Sequence, residues 1–134
     1  DPALSWRSAV KQFLYACCNG EENGIAVLTI EEQQLIFKRL SKESYQTFRQ
    51  KQLRLFGEIL ENFGIKADAA RVNLFTNLSL TVMVVRRAIP NTLPLFVPEA
   101  ADETVDFQIN AIVDALEKLK AESASCVMGR RTSV

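Results

Sequence analysis

The sequence contains no histidine. That absence removes the usual general base, the usual proton shuttle and a common zinc ligand together. Also missing are a Gly-rich phosphate loop, a Cys-x-x-Cys pair, a Gly-x-Ser-x-Gly elbow and a Glu-x-x-His pair. Nucleotide, zinc, hydrolase and di-iron readings therefore have no residues to stand on, and no cofactor is expected. The cysteines number three, and the neighbours Cys17 and Cys18 would point about 100° apart on a helix, a poor geometry for a mutual disulfide. Reduced thiols in a cytoplasm are the expectation. Nothing reads as a signal peptide, and no apolar run approaches the ~20 residues of a bilayer span, so no membrane partner is expected. Sixteen basic and sixteen acidic side chains cancel, and a balanced chain offers no electrostatic footprint for DNA. The chain starts at Asp1-Pro2 with no Met, which suggests processing or a fragment of a longer protein.

What is present is apolar and helical in pattern. A chain of 134 residues with 48% hydrophobic content is long enough for one sizeable core. Residues 72–85, VNLFTNLSLTVMVV, run without a charge, Gly or Pro, flanked by Arg71 and by Arg86-Arg87. On helical spacing Leu74, Leu78 and Val85 fall on one side, Phe75 and Val82 lie beside them, and Asn73, Asn77 and Thr81 stripe the opposite face. No face is left for water, which predicts a central helix covered on all sides. Asp68 is its N-cap and Pro90 ends it near Ile89.

Ahead of it, Ser5 reads as an N-cap for a helix with Trp6, Val10, Phe13 and Cys17 on one face and Leu14 at its edge. Lys11, Tyr15 and Cys18 form its solvated side, and Asn19-Gly20 supplies the stop. Residues 21–24 read as a turn, and residues 25–28 as a short helix. Thr29 with Glu32 spells a capping box that opens a long helix, bending near Ser41 and running to Phe63 before Gly64. Ile36, Phe37 and Leu40 give its first half an apolar face. In its second half Tyr45, Phe48, Phe56, Ile59 and Phe63 share one stripe, with Leu53 and Leu60 on the shoulder.

Arg49 and Gln52 sit inside that stripe. Arg49 either holds an anionic or carbonyl-bearing ligand, or snorkels or pairs with a carboxylate; Gln52 carries the same ambiguity. Residues 91–101 read as a loop that packs through Leu93, Leu95, Phe96 and Val97. A last amphipathic helix resumes near Asp102 or Thr104, with Val105, Ile109, Ile112, Val113, Leu116 and Leu119 on one stripe and Asp106, Asn110, Asp114 and Glu117 on its flank. Residues 122–134 read as a tail, set apart from a domain of residues 1–121. Its ending resembles both a carboxyl-terminal strand-addition motif and a basic phosphorylation site. The expected fold is all-α, a bundle of about five to six helices.

A Trp-bearing first helix, a short apolar segment, a long helix ending Leu60-Glu61-Asn62-Phe63-Gly64-Ile65, a capped uncharged helix ending Val85-Arg86-Arg87-Ala88 and a final amphipathic helix follow in order. This arrangement resembles the regulatory domain of TetR-family transcriptional repressors, over about residues 3–121. The family's N-terminal DNA-binding unit has no counterpart here. The resemblance implies that the last two long helices form a four-helix bundle with those of a second subunit, in an isologous homodimer. It assigns Leu78, Thr81, Val82, Val85, Ile109, Ile112, Val113 and Leu116 to that interface. It also implies a cavity for a small, largely apolar effector between the first, long and central helices, lined by Trp6, Phe13, Tyr45, Phe48, Arg49, Gln52, Phe56, Asn73 and Asn77. DNA would be reached only through a domain absent from this chain. Two rivals stay open: a helical adaptor that binds a partner protein, and a small enzyme using Cys17, Cys18 or Cys126 as nucleophile without a histidine base.

Overall fold

The computed structural model describes residues 1–19, 30–91 and 96–132, without the side chains at 30, 33, 37, 90, 91 and 125–132. Its helices are α1 (Pro2–Cys18), α2 (Ile30–Arg39), α3 (Lys42–Asn62), α4 (Ala69–Asn91) and α5 (Ala101–Thr132), with a 3-10 turn at Pro98–Ala100 before α5. No strand occurs among the described residues, and the fold is all-α as expected. The turn expected at 21–24, the short helix at 25–28, Thr29 of the expected capping box, and Leu93 and Leu95 lie outside the described residues.

α1 starts earlier than Ser5. Asp1 accepts a hydrogen bond from the Ala3 backbone N–H at 3.0 Å, and Pro2 fills the first helical position, where its missing N–H costs nothing. The expected face of Trp6, Val10, Phe13 and Cys17 is covered, and more of the helix with it. Val10, Leu14 and Cys18 are buried, and Tyr15 is half-buried with its hydroxyl on Asp106. α1 packs on both α4 and α5, so its covered arc is wider than a one-sided helix has, and it takes in Tyr15 and Cys18.

The bent helix expected from position 29 to 63 is two helices. Ser41 is extended (φ −65°, ψ 156°), and its side chain accepts from the Ser44 backbone N–H at 3.1 Å, restarting the chain as α3. Gly64 then stops α3 as predicted, at φ +80°, a conformation side chains rarely adopt. Gly64 N–H bonds Glu61 C=O at 2.8 Å and Ile65 N–H bonds Leu60 C=O at 3.2 Å. These are the two bonds of a Schellman motif, and its accompanying apolar pair, Leu60 and Ile65, is fully buried.

Asp68 caps α4 as predicted, its Oδ1 accepting from the Arg71 backbone N–H at 2.9 Å while the Arg71 guanidinium folds back onto the other oxygen. That backbone hydrogen bond holds the Asp68 carboxyl below its usual 3.8, and the Arg71 charge adds to it. A carboxyl shifted this way contributes stability that is present above its unfolded value and lost as pH falls through the lower folded value. Asp68→Ala is therefore expected to lower Tm by roughly 2–5 °C at neutral pH, with the gap to wild type closing in acid. Circular-dichroism melts at neutral pH and in acid check both halves of that expectation.

α4 is the middle of the bundle, packed against α1, the second half of α3, and α5. Its buried face carries Val72, Phe75, Thr76, Ser79, Val82 and Ile89. The two buried hydroxyls are satisfied within the helix, Thr76 donating to Val72 C=O at 2.7 Å and Ser79 to Phe75 C=O at 2.9 Å. α4 runs to Asn91, two residues beyond the expected end, the usual latitude of a last turn. Phe96 and Val97, expected to pack, are exposed.

In α5 the predicted stripe is buried from Val105 to Leu116, with Leu119 partly so. The helix does not stop at Ala121 but continues to Thr132. Ser123 explains part of this, since it is buried, donates to Leu119 C=O and accepts from the Lys66 backbone N–H, both at 3.0 Å. The segment leading into α4 is thereby tied to a stretch of α5 that reads as tail. The strand-addition and phosphorylation motifs at the chain's end fall outside the described residues or side chains.

Candidate functional site

The nine residues expected around a cavity divide into three groups. Phe13 and Phe56 join Phe63 and Phe75 in a closed ring cluster: Phe13 stacks on Phe75 at 5.6 Å between centroids, and Phe56 meets Phe75 edge-on at 5.8 Å. Phe63 meets Phe13 edge-on at 6.0 Å. Trp6 flanks the cluster, its indole N–H donating to Phe63 C=O at 2.7 Å and Lys120 lying over its ring at 4.7 Å. These aromatics are packed core in this state, with Phe75 0% exposed at the centre.

Tyr45, Phe48 and Arg49 form the second group, and all three are exposed, beyond the end of the bundle. Gln52 is half-buried at the boundary. Every described side chain from 31 to 51 is exposed, and α2 makes little contact with the other helices. Ile36 and Leu40 of the apolar face expected there are uncovered, as is Leu35, while the Phe37 side chain lies outside the described ones. Asn73 and Asn77 are the third group, exposed on the outer side of α4.

The eight residues expected at a dimer interface also separate. Val82, Ile109, Ile112, Val113 and Leu116 are buried in the chain's own core. Leu78 and Val85 are half-buried and Thr81 is exposed. Beside Thr81 in the open stand Leu74 at 46% exposure, which the spacing set on the opposite side, and Val84 at 45%, which it did not place. α4 thus turns outward a face of Asn73, Leu74, Asn77, Thr81 and Val84, which holds no ionised group over about three helical turns. Thr81 caps its own backbone by donating to Asn77 C=O at 2.6 Å.

Two concavities among the described residues border α5. An open groove of about 570 Å³ runs along α5 over Asp114, Ala115, Glu117, Lys118 and Ala121. One helix lines it, so it is surface relief. A smaller one of about 260 Å³ lies where α1 ends and α5 begins, among Tyr15, Cys18, Asn19, Arg86, Asp102, Val105 and Asp106. Its ionisable groups are spoken for: Arg86 pairs with Asp102, and the Tyr15 hydroxyl donates to Asp106. That hydrogen bond, with burial, pushes Tyr15 up to about 12. Nearby, Arg7 bridges Asp114 at 2.7 Å and Glu117 at 3.2 Å, and the Asp114 hydrogen bond raises its already high pKa. Burial, with Cys18 adding to it, pushes the Cys17 thiol up to about 11, away from the direction an attacking thiolate needs. Cys126 lies outside the described side chains.

Among the described residues no three His, Cys, Asp or Glu side chains gather as metal ligands do. No helix there is long and apolar enough to cross a membrane. The chain matches no protein-family model, no curated protein and no solved structure.

Proposed function

We propose that this chain is the dimerisation and effector-binding domain of a TetR-like transcriptional regulator, acting on DNA through a unit outside these residues. The observation that carries the proposal is the outer face of α4, exposed yet without a charge from Asn73 to Val84. A lone helix surface ordinarily bears Lys, Glu or Arg; a long face without them is suited to meeting another protein surface. In a homodimer that face meets its own copy across a twofold axis, with exposed Ala111 and Ala115 of the neighbouring α5 small enough to let a second helix approach. The expected interface is redrawn accordingly. Leu74, Asn77, Thr81 and Val84 carry it, while Val82 and the α5 stripe serve the core beneath.

The effector half of the proposal rests on the ring cluster between α1, α3 and α4. A small apolar ligand would enter by parting Phe13 from Phe56 and Phe75, with Gln52 at the rim and Trp6 as the natural reporter. Binding one arrangement of the dimer better than the other would couple the site to DNA, and a difference on the order of 1–3 kcal/mol suffices.

Thr81 stands one residue past the middle of the 23-residue α4, where a twofold axis would cross it. Thr81→Cys, in a chain whose own cysteines are replaced by Ser, is expected to crosslink to its mate under mild oxidation at low concentration. Ser8→Cys, on the exposed side of α1, serves as the control and should stay monomeric on non-reducing gels. Equal crosslinking at both positions, or none at 81, would count against the interface.

A further inference from the structure

The balance of sixteen bases against sixteen acids conceals a separation of charge along the fold. Between positions 38 and 54 stand Lys38, Arg39, Lys42, Arg49, Lys51 and Arg54 against the single acid Glu43. None of the six bases makes an ion pair among the described residues. They surround the uncovered apolar side chains Leu35, Ile36, Leu40 and Phe48, the last 53% exposed. Together α2 and the first half of α3 form an arm that is apolar and unburied, with Glu31 and Glu32 confined to the start of α2 and the bases gathered from Lys38 onward. A ten-residue helix such as α2 is marginal by itself in water and gains stability by packing on a surface.

The opposite chemistry lies at the start of α5. From 98 to 117 there are six acids, Glu99, Asp102, Glu103, Asp106, Asp114 and Glu117, and no base. Asp102, Asp106, Asp114 and Glu117 already have partners within the chain, whereas Glu99 and Glu103 make no ion pair among the described residues. Beside them Phe96, Val97 and Phe107 are uncovered, Phe107 at 77%, and Glu103 and Phe107 stand four residues apart on one helix face.

We infer that the arm docks on the acidic end of α5 in a second copy of this chain, placing Phe48 and Leu40 against Phe107 and Phe96 with Lys42 and Arg49 on Glu99 and Glu103. The contact joins unlike surfaces, so it is heterologous, and it adds to the α4 contact without using the same residues. Dimers formed through α4 are thereby linked into larger assemblies. Its charged half makes it sensitive to salt, because the screening length falls from about 30 Å in about 0.01 M salt to about 3 Å in about 1 M. The α4 contact has no charge to screen.

Light scattering in low and high salt tests this with charge reversals at exposed positions. Wild type is expected above dimer mass in low salt and at dimer mass in high salt. Lys42→Glu with Arg49→Glu, and separately Glu99→Lys with Glu103→Lys, should each stay at dimer mass in low salt, the added contact weakened more than tenfold. An equimolar mixture of the two variants restores opposite charges and should regain the larger mass. Unchanged mass in either variant, or no recovery in the mixture, overturns the inference. So does a wild type whose mass ignores salt but which sediments with phosphatidylserine vesicles through Lys42 and Arg49, since the arm would then be a membrane contact. A chain that is monomeric in high salt yet grows in low salt refutes the α4 dimer and leaves the arm contact standing.

Discussion

Replacing Phe75 with Ala is expected to cost the fold about 3–5 kcal/mol and to lower Tm by roughly 10–20 °C. Phe75 is fully buried in the middle of the bundle, with Phe13, Phe56 and Phe63 all within 6.5 Å of its ring centre. Truncation removes three ring contacts and leaves a void bounded by three helices, which cannot all close in at once. A cost of that size is a large share of the stability a domain of this length has. Phe107→Ala is the matched control. It deletes the same ring from a site 77% exposed and, in salt high enough to screen the arm contact, should change stability by no more than about 0.5 kcal/mol. Thermal melts of both variants check the pair; similar losses at the two sites would mean that the core is not where the structure places it.

Thr81→Lys is expected to weaken self-association by about 100-fold or more, without a matching loss of fold. Across a twofold axis one substitution introduces two ammonium groups facing each other in an uncharged contact. Burying unpaired charge there costs several kcal/mol, against about 2.8 kcal/mol for 100-fold in Kd. In the isolated chain position 81 faces solvent, so the melt of the separated subunits should stay within about 0.5 kcal/mol of wild type. Sedimentation equilibrium gives the Kd. Thr81→Ser keeps the hydroxyl that bonds Asn77 and should associate nearly as wild type does.

Much of the fold is legible in local chemistry. Asp68 and Gly64 act within one turn of chain, through a cap and a left-handed residue, and both stand where their residue types place them. The α5 stripe is legible for the same reason, since a period of 3.6 is a property of the helix alone. The break at Ser41 is less so, because the apolar spacing carries across it and only the Ser41 to Ser44 cap ends one helix and begins the next. The face of α1 depends on having two neighbours, which periodicity does not count.

The candidate site was harder to read for a related reason. Tyr45, Phe48 and Arg49 share a helical stripe with Phe56 and Phe63, but a stripe does not say where its neighbours end. The bundle covers α3 from about Gln52 onward and leaves the earlier turns in the open. Arg49 therefore sits on an exposed arm, without an ion pair among the described residues. Net charge misled in a parallel way, because a sum of zero is blind to bases on one arm and acids on one helix. Leu74 was set on the wrong side and Val84 on none, because an apolar residue inside a long apolar run carries no mark of which side it faces.

Solution mass by light scattering across a dilution series, in salt high enough to screen the arm, tests the central claim most directly. An α4-mediated dimer predicts twice 15.0 kDa, persisting on dilution. A single 15.0 kDa species at every concentration would contradict it, leaving the uncharged face of α4 without its proposed partner.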